Sequence, residues 1–491
     1  MEQAYRVVRR SVDARQRQLR VLLTLLTDDA GKPIARHAAI PLYTPPVFQD
    51  VHSRHKGEVM VVGMGPAGLF AALTLLQHGY KPIVIERGKA VNERKQDIAR
   101  LNRNLGLNTE SNYCFGEGGA GTFSDGKLFS RSKKRGSMQQ VMEWFHFFGA
   151  EDTVLYETHA HIGSDRLPSV IRSMRECIVE HGGEVHFSTC LDQALWNELA
   201  HRQQPTLLAI GHSAHDTYRL LDSNGVTLAP KGCAMGVRVE HPQPLIDRLM
   251  YHLQHASRQQ VDDLIAQVGH AAYSLVTQVQ GRGVYSFCMC PGGHILPAGS
   301  DPDGCVVNGM STSQRNSPYA NSGMVVALNE TDFFAVEQVT PLRGLLFQER
   351  LEQLAYKHGK APSVAPAQRL TDFVSGQASR SLPACSYLPG LTASRLDQWL
   401  PRPIGTGLRQ GFRDFDRKFR GFLTDEAVVV GVESRTSSPV RIVRDTETMH
   451  SVSHRWLYPC GEGAGYAGGI TSSALDGIRA AQALINQGKT F

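Results

Sequence analysis

Apolar residues cluster in short runs separated by glycine, and one run sets the frame for the rest. Val59–Val62 reads as a buried strand, Ala67–Gln77 as a helix apolar on every side, and Ile83–Glu86 as a second strand. Helical spacing recurs at Asn92–Asn102, Met138–Phe148 and Leu167–His181, and strand patterns at Glu184–Ser188 and Thr206–Gly211. After Lys231 the pattern changes. Met235–Glu240 alternates as a half-buried strand should, and a polar helical stretch lies between Gln243 and Gln267. Strand-like pieces follow at Val284–Met289, His294–Leu296 and Cys305–Asn308. A mostly helical region spans 342–420, then come strand Ala427–Val432 and a strand-loop-helix over Trp456–Gln487. Ahead of all this, Tyr5–Val8 and Leu19–Leu26 read as strands around a basic helix Ser11–Gln18, and Pro41, Pro45 and Pro46 mark a linker.

The expected architecture is α/β. It consists of a Rossmann-like three-layer domain, discontinuous over 57–234 and 421–491, an inserted α+β substrate domain over 235–420, and a small α+β module over 1–50. At 491 residues the chain calls for more than one core. It has 41% hydrophobic and 20% charged residues, an ordinary globular balance, and a net charge of +6 that does not by itself demand nucleic acid. No apolar run reaches membrane-spanning length, the N-terminus lacks a signal-peptide layout, and nine scattered cysteines suit reduced thiols. These features make a cytoplasmic protein with no membrane partner the expectation.

Three glycine-rich sites carry the chemistry. The first is Val61-Val-Gly-Met-Gly-Pro-Ala-Gly68, set between a strand and a helix and followed one strand later by Glu86 and Arg87. Gly63 allows the tight turn, Gly65 the approach of a pyrophosphate, and Gly68 close helix packing, with Pro66 and Ala67 opening the helix toward the phosphates. Glu86 is expected to accept from a ribose hydroxyl. The second site, Gly116–Gly126, includes Gly118, Gly119, Gly121 and Thr122 and suits a flat or phosphorylated ligand. The third runs from Leu457 to Gly477 and contains Gly461, Glu462, Gly468, Gly469 and Ile470. Its helix start would favour the negative charge of a reduced flavin. Gly211, at the end of a buried strand, completes the set. No second strand-led GxGxxG follows, so the three sites together point to FAD rather than to a separate NAD(P)H domain.

These motifs resemble a family of bacterial FAD-dependent dehydrogenases, within the NAD(P)/FAD-dependent oxidoreductase superfamily with a glutathione-reductase-type FAD fold. The resemblance rests on GGAGTFSDGKL at 118–128, Ala209–Asp216, Gly236–Pro242, Tyr285–Gly293, Glu433–Ile442 and the closing CGEGAGYAGGITSSALDG. It implies non-covalent FAD and an inserted substrate domain, and names no substrate. One departure is His215, where the family pattern leads us to expect arginine.

The expected activity is transfer of hydride or electrons between FAD and a small-molecule substrate, with transient NAD(P)H or a protein as electron donor. A flavin-dependent RNA-modifying enzyme, using Arg131–Arg135 and the N-terminal arginines, and a flavin-binding redox sensor without turnover are the alternatives. The catalytic residues stay open, and no metal is expected. Cys288 and Cys290 read as pocket-lining thiols, with one acting as acid or nucleophile as the sharper option; on a regular strand a disulfide between them would be strained. Arg435 and Arg441 could hold a substrate anion, or one of them could pair with Glu433. Arg282, His294, Asn308 and Arg315 form a weaker constellation, and His161 and His212 read as structural or flavin-adjacent.

Overall fold

In the computed structural model, which describes residues 5–14, 19–35, 42–129, 136–335 and 340–488, two sheets organise a mixed α/β protein. The first is a five-stranded parallel sheet. Its strands lie side by side in the order Leu457–Pro459, Thr206–Leu208, Glu58–Val62, Lys81–Ile85, Glu184–His186. One strand from near the end of the chain thus completes a sheet begun near residue 58. Helix Pro66–Gln77 lies against this sheet and packs on Ile470–Gly488, and its run of buried residues explains why it is apolar all round. The two helices approach closely because Gly477 has no side chain: a Cβ there would overlap the Ala67 carbonyl. Their shared core includes Val61, Leu69, Phe70, Leu73, Val84 and Ile478.

The second sheet has seven strands, in the order Leu391–Ala393, Ala365–Arg369, Val428–Glu433, Cys233–Pro242, Tyr319–Leu328, Arg282–Cys290, Val276–Val279. All its pairs are antiparallel except the outermost one, Ala365–Arg369 with Leu391–Ala393. Helix Arg402–Lys418 packs on it, burying Ile404, Leu408, Phe412 and Phe415. A two-stranded ribbon, Gly293–Pro297 with Val307–Ser311, lies nearby.

Three expectations need correcting. Val428–Glu433, expected in the second part of the FAD-binding domain that begins at 421, is an inner strand of the seven-stranded sheet. Its valine-rich run is buried on both faces, which a period-two pattern cannot assign to one sheet over another. The region 342–420 is not simply helical, since Ala365–Arg369 and Leu391–Ala393 are strands of the same sheet. Near the N-terminus, Val7–Asp13 is a strand paired with Arg20–Leu25, so Ser11 to Asp13 extend a strand instead of starting a helix. Residues 15–18 of that expected helix lie outside the described residues.

Inside the second sheet, His241 is fully buried. Its Nε2–H donates to the Phe422 carbonyl at 2.9 Å, and its Nδ1 has no partner. Burial lowers its pKa from 6.5 to about 4. The unfolded imidazole takes a proton below about 6.5 and the folded one only near 4, so stability is lost as the pH falls through that window. A loss on the order of 3 kcal/mol is expected by pH 4 from this residue. Urea unfolding of wild type and His241→Gln between pH 7 and 4 checks it, the variant showing the shallower decline.

Candidate FAD site

A cavity of about 590 Å³ lies between the glycine turns and the second sheet. That is within the size range of cofactor and small-molecule sites. It is lined by Gly63, Gly65, Pro66, Ala67, Glu86, Arg87 and Gly211 together with Gly119, Gly121, Glu462, Gly468, Gly469 and Ile470. Four of the residues nominated from sequence do not line it. Gly68 sits beneath the first turn, where a Cβ would collide with the Gly63 carbonyl oxygen. Gly118, at φ 80°, packs on Thr122 and Ile171, and Thr122 donates to the Glu117 carbonyl at 2.8 Å. Gly461 is tied down from below, its N–H donating to Asp476 at 2.8 Å.

Glu86 lines the cavity and also has a structural task that the sequence did not reveal. Its carboxylate is buried and accepts from the backbone N–H of Met64, Gly88 and Gly116, each at 2.9 Å. It therefore fastens the first glycine turn, the segment after its own strand and the second glycine loop to one another. Arg87 lies over the Phe115 ring, 4.2 Å from its centre, and bridges Glu110 and Asp216. Behind it, the fully buried Arg94 donates to the carbonyls of Asn112, Tyr113 and Glu117 at 2.8–3.0 Å. Burial lowers its pKa to about 10. The second glycine loop is thus held from one side by Glu86 and from the other by Arg94, and only the first of these was singled out in the sequence.

Under the third loop, Arg444 donates to both oxygens of Asp476 at 2.7 and 2.9 Å and to the Pro459 carbonyl at 2.6 Å. Neither residue was found from the sequence. Both stand in mixed polar and apolar stretches that give no local sign of a buried pair. Helix Pro66–Gln77 has no side-chain cap, so its first amides are open at the cavity.

The opposite wall is formed by Tyr285–Cys288 of the second sheet, with Asn308, Arg435 and Lys127. Lys127 pairs with Asp125 at 3.0 Å, and Asp125 also accepts from Ser311 and from Arg315. These cations hold Asp125 below the usual carboxylate range despite its burial. Arg238, fully buried behind this wall, was not singled out. It donates to Glu433 at 2.8 Å, Asn321 at 2.8 Å, Asn308 at 3.2 Å and the Cys288 carbonyl at 2.9 Å. Burial raises Glu433 to about 7 against the pull of Arg238.

The arginine loop resolves in neither of the ways expected. Glu433 pairs with Arg238, while Arg435 is spent on Glu352, with bonds of 3.0 and 2.8 Å. Arg441 stacks against Tyr466. The weaker constellation disperses: Arg282 pairs with Asp332, Arg315 with Asp125, and Asn308 with Arg238, while burial lowers the pKa of His294. His161 bonds the Ser313 carbonyl, and burial helped by Arg315 lowers its pKa to about 4. His212 lines the cavity 3.5 Å from Glu462. His215, the departure from the family pattern, pairs with Glu349 at 3.0 Å. Arg131–Arg135 lie outside the described residues. Among the described residues no group of three His, Cys, Asp or Glu side chains could hold a metal ion, and no helix is long and apolar enough to cross a membrane.

One strand-led GxGxxG turn and two further glycine-rich loops face a common cavity, and the comparisons specify the cofactor. Residues 232–436 match the family model described as "FAD-dependent protein, C-terminal domain-like". A protein of Clostridium beijerinckii, described as "Uncharacterized protein", is 41% identical over 446 residues, covering 88% of this chain and 81% of that one. The chain belongs to the family of that relative and is an FAD-dependent protein. Among solved structures, CtdE in complex with FAD is similar over 87% of this chain and 83% of its own, at 9% identity and a TM-score of 0.29. The tetracycline destructase Tet(51) is similar over 88% and 84%, at 10% identity and 0.30. Likeness of that degree decides nothing about this chain.

Proposed function

We propose that the protein is an FAD-dependent oxidoreductase that passes electrons between FAD and a small molecule. In this reading a Rossmann-like, discontinuous FAD-binding domain is built on the parallel sheet, and the second sheet forms the substrate side. One observation carries it: a single cavity runs from Gly63 and Glu86, past Gly119–Gly121, to Gly468–Ile470, and the wall Tyr285–Cys288 closes it. When bound, FAD supplies the two-electron chemistry.

The chain's own residues supply the rest. Gly63 and Gly65 let backbone approach the pyrophosphate, and the open amides of helix Pro66–Gln77 complement its charge. The start of helix Ile470–Gly488, beside Gly468 and Gly469, complements negative charge at the other end. Lys127 and Asn308 reach the cavity from the second sheet's side, where an ammonium and an amide can orient a carbonyl or carboxylate of the substrate. We place the protein in the cytoplasm, with NAD(P)H or a partner protein as donor.

Purified protein is expected to carry releasable FAD absorbing near 450 nm, bleached anaerobically by NADH, NADPH or a substrate. Protein that neither retains nor takes up FAD would defeat the reading, as would bound FAD that no donor reduces.

A further inference from the structure

The sulfur pair at the cavity wall has a geometry that the sequence argues against. Two residues apart on a regular strand, side chains share a face and their Cα atoms stand roughly 6.5 Å apart, at the far edge of what a disulfide spans. The strand is not regular here. Its pairing with Tyr319–Leu328 slips between Phe287 and Cys290, and Cys288 itself has φ 47°. The break frees the two thiols from the strand's spacing.

Their surroundings divide the pair into an outer and an inner sulfur. Cys288 lines the cavity, whereas Cys290 is fully buried behind it, its Sγ 3.3 Å from the Cys288 carbonyl. Two cations flank the inner sulfur: Lys127 Nζ at 3.8 Å and Arg238 Nη2 at 3.6 Å. Asp125 and Glu433 are the acids facing those cations, one on each. Hydrogen bonding from Cys290, aided by both cations, draws the Cys288 thiol down to about 5, while Cys290 is pushed up. The outer position thus holds a thiolate and the inner one a thiol.

We propose that Cys288 and Cys290 form a redox-active dithiol that exchanges two electrons with the FAD. The proposal rests on the reading that the flavin ring lies in this cavity. In the oxidising direction the Cys290 S–H bond breaks and a Cys288–Cys290 S–S bond forms. The two sulfurs give up two electrons, which pass with the released proton to FAD and yield the anionic FADH⁻. One negative charge stands on each side, first on the thiolate and then on the flavin. In the opposite direction FADH⁻ reduces the disulfide, giving back the Cys288 thiolate and, with the proton, the Cys290 thiol beside Lys127 and Arg238. The pair would then store one further two-electron equivalent beside the flavin.

Anaerobic dithionite titration of the holoprotein at 450 nm tests this, combined with iodoacetamide trapping and peptide mass spectrometry. Air-oxidised wild type should consume about four electrons per FAD, and Cys288→Ser and Cys290→Ser about two. The peptide containing both cysteines should be two hydrogens lighter before reduction and doubly alkylated after it. If either serine variant folds poorly or loses FAD, Cys288→Ala and Cys290→Ala replace it. About two electrons in FAD-loaded wild type would overturn the proposal, as would two free thiols in the oxidised protein or a disulfide that persists after the flavin is reduced. Failure to hold FAD at all shows itself separately, by absent 450 nm absorbance, and strikes the cofactor-site reading on which the proposal stands.

Discussion

Glu86→Ala is expected to yield protein that purifies colourless and melts well below wild type. The side chain accepts from the N–H groups of Met64, Gly88 and Gly116, in a site with no exposure to spare. Alanine would leave all three donors buried without partners, each costing about 1–3 kcal/mol. A loss of roughly 3 kcal/mol or more follows where none of the three finds a new partner. The damage is also local to the cavity, because Met64 lines it and the other two amides belong to segments that adjoin it. Glu86→Gln separates the two effects. Its remaining oxygen can keep the Gly88 and Gly116 bonds, while Met64 N–H would face an amide nitrogen. That variant should hold FAD more weakly than wild type and be intermediate in stability. Flavin content by absorbance, together with thermal unfolding with and without added FAD, distinguishes lost binding from lost fold. Wild-type flavin content in Glu86→Ala would show that the clamp is dispensable.

Arg238→Met should cost about 3–5 kcal/mol, since it leaves the Glu433 carboxylate buried without its cation. The side chain also ties four strands together through Asn321, Asn308, Glu433 and the Cys288 carbonyl. The double variant Arg238→Met with Glu433→Leu should recover most of the loss. Desolvating an ion pair costs about as much as the pair returns, so removing both charges is far cheaper than removing one. Burial already drives Glu433 up to about 7 against the pull of Arg238. Equilibrium urea unfolding of the two single variants and the double gives the coupling directly. Additive losses would mean that the two side chains act independently.

The sulfur pair shows how a correct local rule meets a tertiary exception. Strand spacing argues against a Cys288–Cys290 bridge, and it is the slip against Tyr319–Leu328, together with the left-handed Cys288, that alters the geometry. Arg435 teaches the converse. A guanidinium in a hydroxyl-rich loop reads as an anion site until Glu352, 83 residues away, is found holding it in two hydrogen bonds.

Local chemistry along the chain encodes the elements that act over short range. The strand, glycine turn, helix and second strand from Val59 to Glu86 are legible because apolar periodicity and turn glycines act over a few residues. The glycine sites near 119–121 and 468–470 are legible for the same reason, and the fold brings both to one cavity. Tertiary structure alone decided the partners. It gave Val428–Glu433 to the antiparallel sheet, because a strand buried on both faces carries no mark of its neighbours. It joined Arg238 to Glu433 across 195 residues and made Glu86 the clamp of three backbone segments. Charges and buried acceptors find their partners through packing over long range, and no spacing along the chain records that choice.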